Sequence, residues 1–262
     1  MKCDIIIPVC NMLAYTKLCL EKLAENTLIP FNLIIIDNGS TDGTKDFFSK
    51  NSALTSPKGD SSKANLKYIR NEENAGPILA YNQGIKMGDS DYACMMHNDV
   101  LIFERGWLGR ILNALDSNND IGIVGLAGRK RINKIGLVDE SSLVHNLQNE
   151  HLNSPMQRDI EDVAVIDGLC FIVRREILNK TGGLNEEYGY MHCYDLDISM
   201  ASLELGYRNA VLKTEAMHIS NGGITRRTKS YEDLVRDDYR LLNMNYKKFR
   251  TKWKKLLPVS VK

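Results

Sequence analysis

The first half of the chain alternates short apolar runs rich in β-branched residues with longer segments whose apolar residues recur at helical spacing, and this alternation leaves few folds open. CDIIIPV (3–9) and FNLIIID (31–37) carry no polar alternation, so each reads as a strand covered on both faces, as happens when helices flank a parallel sheet. Between them, Cys19, Leu20, Leu23 and Ala24 mark a helix face. LKYIRN (66–71) is a third, weaker strand. A helix is expected from Gly76 to Met87, with Pro77 in its first turn, where the missing N–H has no partner to lose. YACMM and VLIF flank the polar triplet His97-Asn98-Asp99, and then Trp107, Leu108, Ile111, Leu112 and Leu115 recur as an amphipathic helix. IGIVGLAG (121–128) predicts another strand, VAVIDGLCFIVRREIL (163–178) a strand then a helix, YDLDISMASLELGY (194–207) a helix, and NAVL (209–212) a short strand. The stretch from Arg129 to Glu161 is polar and without strong period. It is far longer than the roughly 2 to 6 residues of a plain connection, so it reads as a functional segment.

The chain has 262 residues, 43% of them hydrophobic and 26% charged, which describes one globular domain. Its net charge of +1 gives no reason to expect a nucleic-acid partner. Its six cysteines form no CxxC pair and no recurrent zinc spacing, so they read as reduced thiols of a cytoplasmic protein. The apolar runs are strand length, well short of the about 18 to 20 residues of a membrane span. Beyond Asp238 there are no acids, while Lys247, Lys248, Arg250, Lys252, Lys254 and Lys255 gather around Phe249, Trp253, Leu256 and Leu257. A solvated helix face is the first reading of this tail; peripheral contact with anionic lipid headgroups at the inner face of a membrane is the second.

Four polar clusters fall where strands of such a sheet end, and ligand sites in open α/β sheets gather at the carboxyl ends of strands. They are Asp37, Asn98-Asp99, Asp195 with Asp197, and His218. Alone, each has an ordinary structural explanation: turn chemistry, a strand-end ion pair, a charge at a helix N-terminus, or a buried histidine. Asp195 and Asp197 differ by about 200° around a helix, so both cannot face one site. His97 and His192 read as structural, and no spacing assigns Cys193 a role.

Taken in order, the motifs resemble the family 2 glycosyltransferases, which use nucleotide-sugar donors. IIIPVCN is similar to that family's opening strand, IIIDNGSTDGT to its most recognisable motif, and RNEENAGPILAYNQGIK to its Asn-x-Gly…Ala-x-Asn-x-Gly segment. MMHNDVLI stands where the family has its DxD-like motif. VIDGLCFIVRREILNKTGGLNEEY and CYDLDISMASLELGYR resemble its acceptor-side segments, and His218 with SNGG and YKKFRTKW its tail. The resemblance spans almost the whole chain.

What the resemblance implies is an α/β fold of GT-A type: a Rossmann-like, mainly parallel central sheet flanked by helices, with an acceptor-side region and C-terminal helices. Residues 1–225 would form the glycosyltransferase domain, with 1–128 binding the nucleotide sugar and 129–225 the acceptor; 226–262 would be a basic helical extension. The implied donor-binding set is Pro8, Asp37, Asn74, Gly76, Asn82 and Asn98, with Asp37 accepting from a pyrimidine ring and Asn98 meeting the ribose where Asp is commoner. Asp99 and His218 would hold Mn²⁺ or Mg²⁺, whose charge offsets that developing on the leaving diphosphate. Asp195 is the implied general base, giving inversion; the Glu usual before it is Tyr194 here. UDP-sugars are the first expectation and dTDP-sugars the second, with a glycan, lipid-linked or protein acceptor. The alternatives are a catalytically silent nucleotide-sugar-binding or scaffold protein, or a sugar nucleotidylyltransferase. Against the latter, PVCNM carries no Gly-rich phosphate loop.

Overall fold

The structure, a computed structural model, describes residues 2–50, 64–148, 156, 158–219 and 237–261. An eight-stranded sheet forms its centre. Its parallel half contains β1 (Cys3–Val9), β2 (Phe31–Asn38), β3 (Ala64–Asn71) and β4 (Tyr92–Met96), in the spatial order β3-β2-β1-β4. Helices α1 (Leu13–Asn26), α2 (Thr44–Lys50) and α3 (Pro77–Met87) alternate with these strands. Ile5, Ile7, Leu33 and Ile35 belong to one apolar cluster and Ile6, Ile34 and Ile36 to the other. Both faces of β1 and β2 are thus covered, which is why their sequences run apolar without alternation.

The chain continues through β5 (Val100–Ile102), α4 (Trp107–Ser117), β6 (Ile121–Gly125), β7 (Ala127–Arg129), β8 (Arg131–Ile132), β9 (Leu143–His145), β10 (Ile160–Val163), β11 (Val165–Ile166) and β12 (Cys170–Arg174). α5 (Arg175–Thr181), α6 (Tyr194–Glu204), β13 (Arg208–Leu212), β14 (Ala216–His218), α7 (Asp238–Trp253) and β15 (Val259–Ser260) complete it. In the second half of the sheet, β12 lies antiparallel between β4 and β6, β13 runs parallel to β6, and β10 is antiparallel at the edge. The sheet is therefore mixed but mostly parallel, as expected.

Two segments depart from the sequence reading. IGIVGLAG is not one strand: at Leu126, whose N–H donates to the Cys170 carbonyl over 3.1 Å, the chain leaves the central sheet, and β7 pairs instead with β9 and β11. VAVIDG breaks in the same way at Ala164, whose N–H donates to the Arg129 carbonyl over 2.8 Å. The two chains leave together and build a three-stranded sheet, β11-β7-β9, that carries Arg129 and Asp167 beyond the edge of the main sheet. The segment from Arg129 to Glu161 accordingly contains strands, while residues 149–155 and 157 within it lie outside the described residues.

The described part of the C-terminal tail packs onto the body of the molecule. Phe249 and Trp253 are buried in the core, and Leu256 and Leu257 are partly buried against it. Lys247, Lys248 and Arg250 form a solvated face on the same helix as the exposed Tyr239 and Met244. β15 pairs antiparallel with β8, fastening the tail to the body, while residues 226–236 of the expected extension lie outside the described residues. Among the described residues, no helix is long and apolar enough to cross a membrane.

Candidate active site

At the carboxyl edge of the sheet, β4 ends and the His97 N–H donates to the Leu169 carbonyl over 2.9 Å. The chain then turns through Asn98 and Asp99 into β5. β5 pairs antiparallel with β14 in a register that sets Val100 opposite His218. The result is a cluster of three side chains: His218 Nε2 lies 3.4 Å and His97 Nδ1 3.9 Å from Asp99 Oδ1. One ligand atom from each residue falls within 4.8 Å of the others. Two imidazole nitrogens and a carboxylate oxygen, half-buried to buried, are a donor set that fits a first-row divalent ion such as Mn²⁺, with room in its shell for phosphate oxygens. Asp99 and His218 come together as expected. His97, read from sequence as structural, joins them; its place two residues before Asp99, at the start of the turn that ends β4, is the signal that could have found it.

Asp195 stands in the first turn of α6. Before it, His192 and Cys193 both adopt left-handed backbone at φ 75 and 61, a sparsely populated conformation for side chains of this kind that turns the helix start toward a cavity. Asp195 Oδ2 accepts from the Gly168 N–H and Oδ1 from the Leu196 N–H, each over 2.9 Å. Gly168 has to be glycine, because a Cβ there would come within 2.5 Å of Tyr194 Oη. Burial, helped by the nearby Asp167 charge, pushes the Asp195 carboxyl up to about 6 in spite of these amide bonds. A carboxylate so placed takes up a proton more readily than an exposed one, as a general base should. Asp197 is buried and accepts from Tyr188 Oη at 2.8 Å, Trp253 Nε1 at 2.7 Å and Lys252 Nζ at 2.8 Å, so it holds α7 in place. His192 Nε2 lies 2.7 Å from Asp238 Oδ1 at the start of α7, and burial pushes the Cys193 thiol up, away from nucleophilic chemistry.

Asp195, His97, His218, Asp167, Arg129 and Tyr246 all line one cavity of about 460 Å³. Arg129 lies between Glu140, at 2.6 Å from Nη2, and Asp167, which it meets through Nη1. Neither Arg129 nor Asp167 was singled out in the sequence, because both reach the cavity through the small sheet.

The expected donor-binding residues divide. Pro8 lies near the carboxyl end of β1, opposite Ile36. Asn98 donates through Nδ2 to Thr16 Oγ1 over 3.0 Å. Asn74 accepts from the Gly76 N–H over 3.0 Å and donates to Cys10 Sγ over 3.2 Å, shaping the turn into α3. Gly76 sits there at φ 85, with the Tyr190 carbonyl where a Cβ would point.

Two of the expected donor-binding residues also carry internal bonds. Asp37 is 0% exposed, and both of its oxygens are engaged: Oδ1 accepts from the Ser40 N–H at 2.8 Å, and Oδ2 from Tyr68 Oη at 2.7 Å and Arg70 Nη1 at 2.8 Å. It ties β2 to β3. Although burial alone raises a carboxyl, the bonds from Ser40, Tyr68 and Arg70 outweigh it and hold Asp37 below the usual range. Asn82 is buried and bonds both the N–H and the carbonyl of Leu184 at 2.8 Å, so it clamps α3 to the GGLNEEY turn. Beyond His218, the SNGG motif (220–223) lies outside the described residues.

The model of the family described as Glycosyl transferase family 2 matches residues 4–182. A PGL/p-HBAD biosynthesis glycosyltransferase of Mycobacterium bovis is 27% identical over 108 residues, 41% of this chain and 39% of the relative. The uncharacterized protein y4gI of Sinorhizobium fredii is 22% identical over 220 residues, 79% of this chain and 23% of that protein. The chain thus spans well under two thirds of these relatives. Among solved structures, S. aureus TarS 1-349 in complex with UDP-GlcNAc superposes with a TM-score of 0.60 at 17% identity, covering 90% of this chain and 65% of that one. The mannosyltransferase PcManGT from Pyrobaculum calidifontis, in complex with GDP-Man and Mn²⁺, gives 0.61 at 16% identity over 98% of this chain and 70% of that one. GalNAc-T7 with UDP, GalNAc and Mn²⁺ gives 0.66 at 12% identity over 95% and 50%. These likenesses establish a shared GT-A fold. Since the family's model covers more than half of the sequence, the chain belongs to glycosyl transferase family 2.

Proposed function

We propose that the protein transfers a sugar from a nucleoside-diphosphate sugar to an acceptor hydroxyl with inversion, using Asp195 as general base and a divalent cation held by His97, Asp99 and His218. The observation that carries this reading is that the base and two members of the three-residue cluster line one cavity. When bound, the cation supplies positive charge against the leaving diphosphate. Asn98 orients the donor through its carbonyl oxygen. Asp195 Oδ takes the proton of the attacking hydroxyl, and the Gly168 and Leu196 N–H groups fix the carboxylate as it does so. A base facing the anomeric carbon opposite the leaving group yields direct displacement, hence inversion.

Two imidazoles favour Mn²⁺ over Mg²⁺. Uridine donors come first because two of the similar structures hold UDP or UDP-GlcNAc, and thymidine donors second. The test is donor turnover with and without Mn²⁺, with the product's anomeric configuration read by NMR. Asp195→Asn should lower transfer by about 10² to 10⁴-fold while calorimetric donor affinity stays within about twofold. Retained configuration, or a variant with near-normal turnover, overturns the assignment; donor binding with no turnover in the wild type would favour a silent binding protein.

A further inference from the structure

Resting on the transferase reading, we infer that the accepting hydroxyl belongs to an uncharged sugar ring, held by Asp167 and Arg129 against Tyr246, and that a phosphate or carboxylate on that ring is excluded. The charges of the cavity motivate it. Asp195, Asp167 and Glu140 line it, and among its described lining residues Arg129 is the single Lys or Arg. The charge of the Arg129 guanidinium is already matched by two carboxylates: Nε and Nη2 bond Glu140 at 3.1 and 2.6 Å, and Nη1 meets Asp167. Among the described lining residues, a ligand anion would face carboxylates with no Arg or Lys beyond the carboxylate-paired Arg129 to meet it, and like-charge juxtaposition is how sites reject a wrong partner.

The same groups suit neighbouring hydroxyls. Each hydroxyl both donates and accepts, and an alternating carboxylate-guanidinium-carboxylate row offers both kinds of partner. The Asp167 side chain is 27% exposed, so it reaches the cavity, and the next residue, Gly168, donates to Asp195 over 2.9 Å. A ring hydroxyl bound at Asp167 therefore brings an adjacent hydroxyl to the base. On the far wall, Tyr246 and Leu242 of α7 stand with Val138 and Met191 and cover the C–H face of such a ring.

The experiment uses the full chain with Mn²⁺ and a UDP-sugar that it turns over, offered p-nitrophenyl hexosides and their 6-phosphate and uronate counterparts. Each is scored as a substrate and as an inhibitor of donor hydrolysis. The uncharged glycosides should be favoured by about tenfold or more in kcat/KM or in inhibition. Asp167→Lys should shrink or reverse that preference, and Asp167→Asn, the safer variant for folding, should shrink it. Charged acceptors used equally well or better, no interaction with any sugar of the panel, or a preference unchanged in both variants would each overturn the inference. Absence of both donor binding and hydrolysis in the wild type would instead sink the transferase reading, and the inference with it.

Discussion

Asp195 and Asp197 share a helix and a side chain, yet one meets backbone amides at a cavity wall and the other meets a phenol, an indole and an ammonium inside the molecule. Their difference should be measurable as a pH effect. The Asp195 carboxyl sits at about 6 when folded against 3.8 for the free group, so the stability it contributes is present in acid and lost as pH rises through about 6. Asn does not titrate; relative to wild type, Asp195→Asn should therefore gain stability between pH 4 and pH 8, by on the order of 1 to 2 kcal/mol after allowing for partial exposure. Chemical denaturation at the two pH values reads this, and a gain that is absent or reversed contradicts a desolvated base. Wild-type kcat/KM should rise along an acid limb through the same pH. Helical angle told from sequence that only one of the two aspartates could face a site, and family resemblance said which. The structural bonds of Asp37 and Asn82 were not legible because their partners are remote: Asp37 pairs across the sheet with Arg70, and Asn82 bonds Leu184, 102 positions away. Nothing local to DNGS or AYNQG announces those bonds, whereas a turn and a helix face are local properties.

At the level of elements, β1, β2, α3 and α4 were legible because each is defined by its own pattern of burial. The β6–β7 and β10–β11 breaks were not, since IGIVGLAG has the composition of one strand and is divided only by contacts to Cys170 and Ile166 elsewhere in the chain. α7 shows the opposite situation, a basic helix whose role depends on its buried side. Phe249 and Trp253 anchor it, and its Leu242 and Tyr246 complete the cavity wall. Trp253→Ala should cost about 3 to 5 kcal/mol by leaving a cavity and stripping Asp197 of a donor. Trp253→Phe, which keeps most of the volume but not the Nε1 donor, should cost about 1 to 2 kcal/mol. If α7 positions the acceptor wall, Trp253→Phe should raise acceptor KM more than it alters donor affinity. Equal effects on both would make the helix a stabilising strap without a part in recognition.

Across the whole molecule, the His97-Asp99-His218 cluster joins parts of the chain that are far apart in sequence: His97 and Asp99 follow the parallel half of the sheet, and His218 arrives through the β14–β5 pairing. An unfolded chain cannot hold these three groups within a coordination shell, so an ion that binds them binds the folded state and stabilises it by linkage. At about 100 times its dissociation constant the ion should add about 2.7 kcal/mol. For a chain of this size that corresponds to a rise in Tm of roughly 5 to 10 °C. Thermal unfolding with Mn²⁺ and without donor reads it independently of catalysis. The rise should vanish in Asp99→Ala and His218→Ala and shrink in His97→Ala, and Mg²⁺ should produce a smaller one because imidazole nitrogens suit it less well. A His97→Ala protein with the full wild-type rise would return His97 to a structural role and leave the cation to Asp99 and His218. A rise that survives in all three variants would place the cation elsewhere in the molecule and remove the cluster from the mechanism.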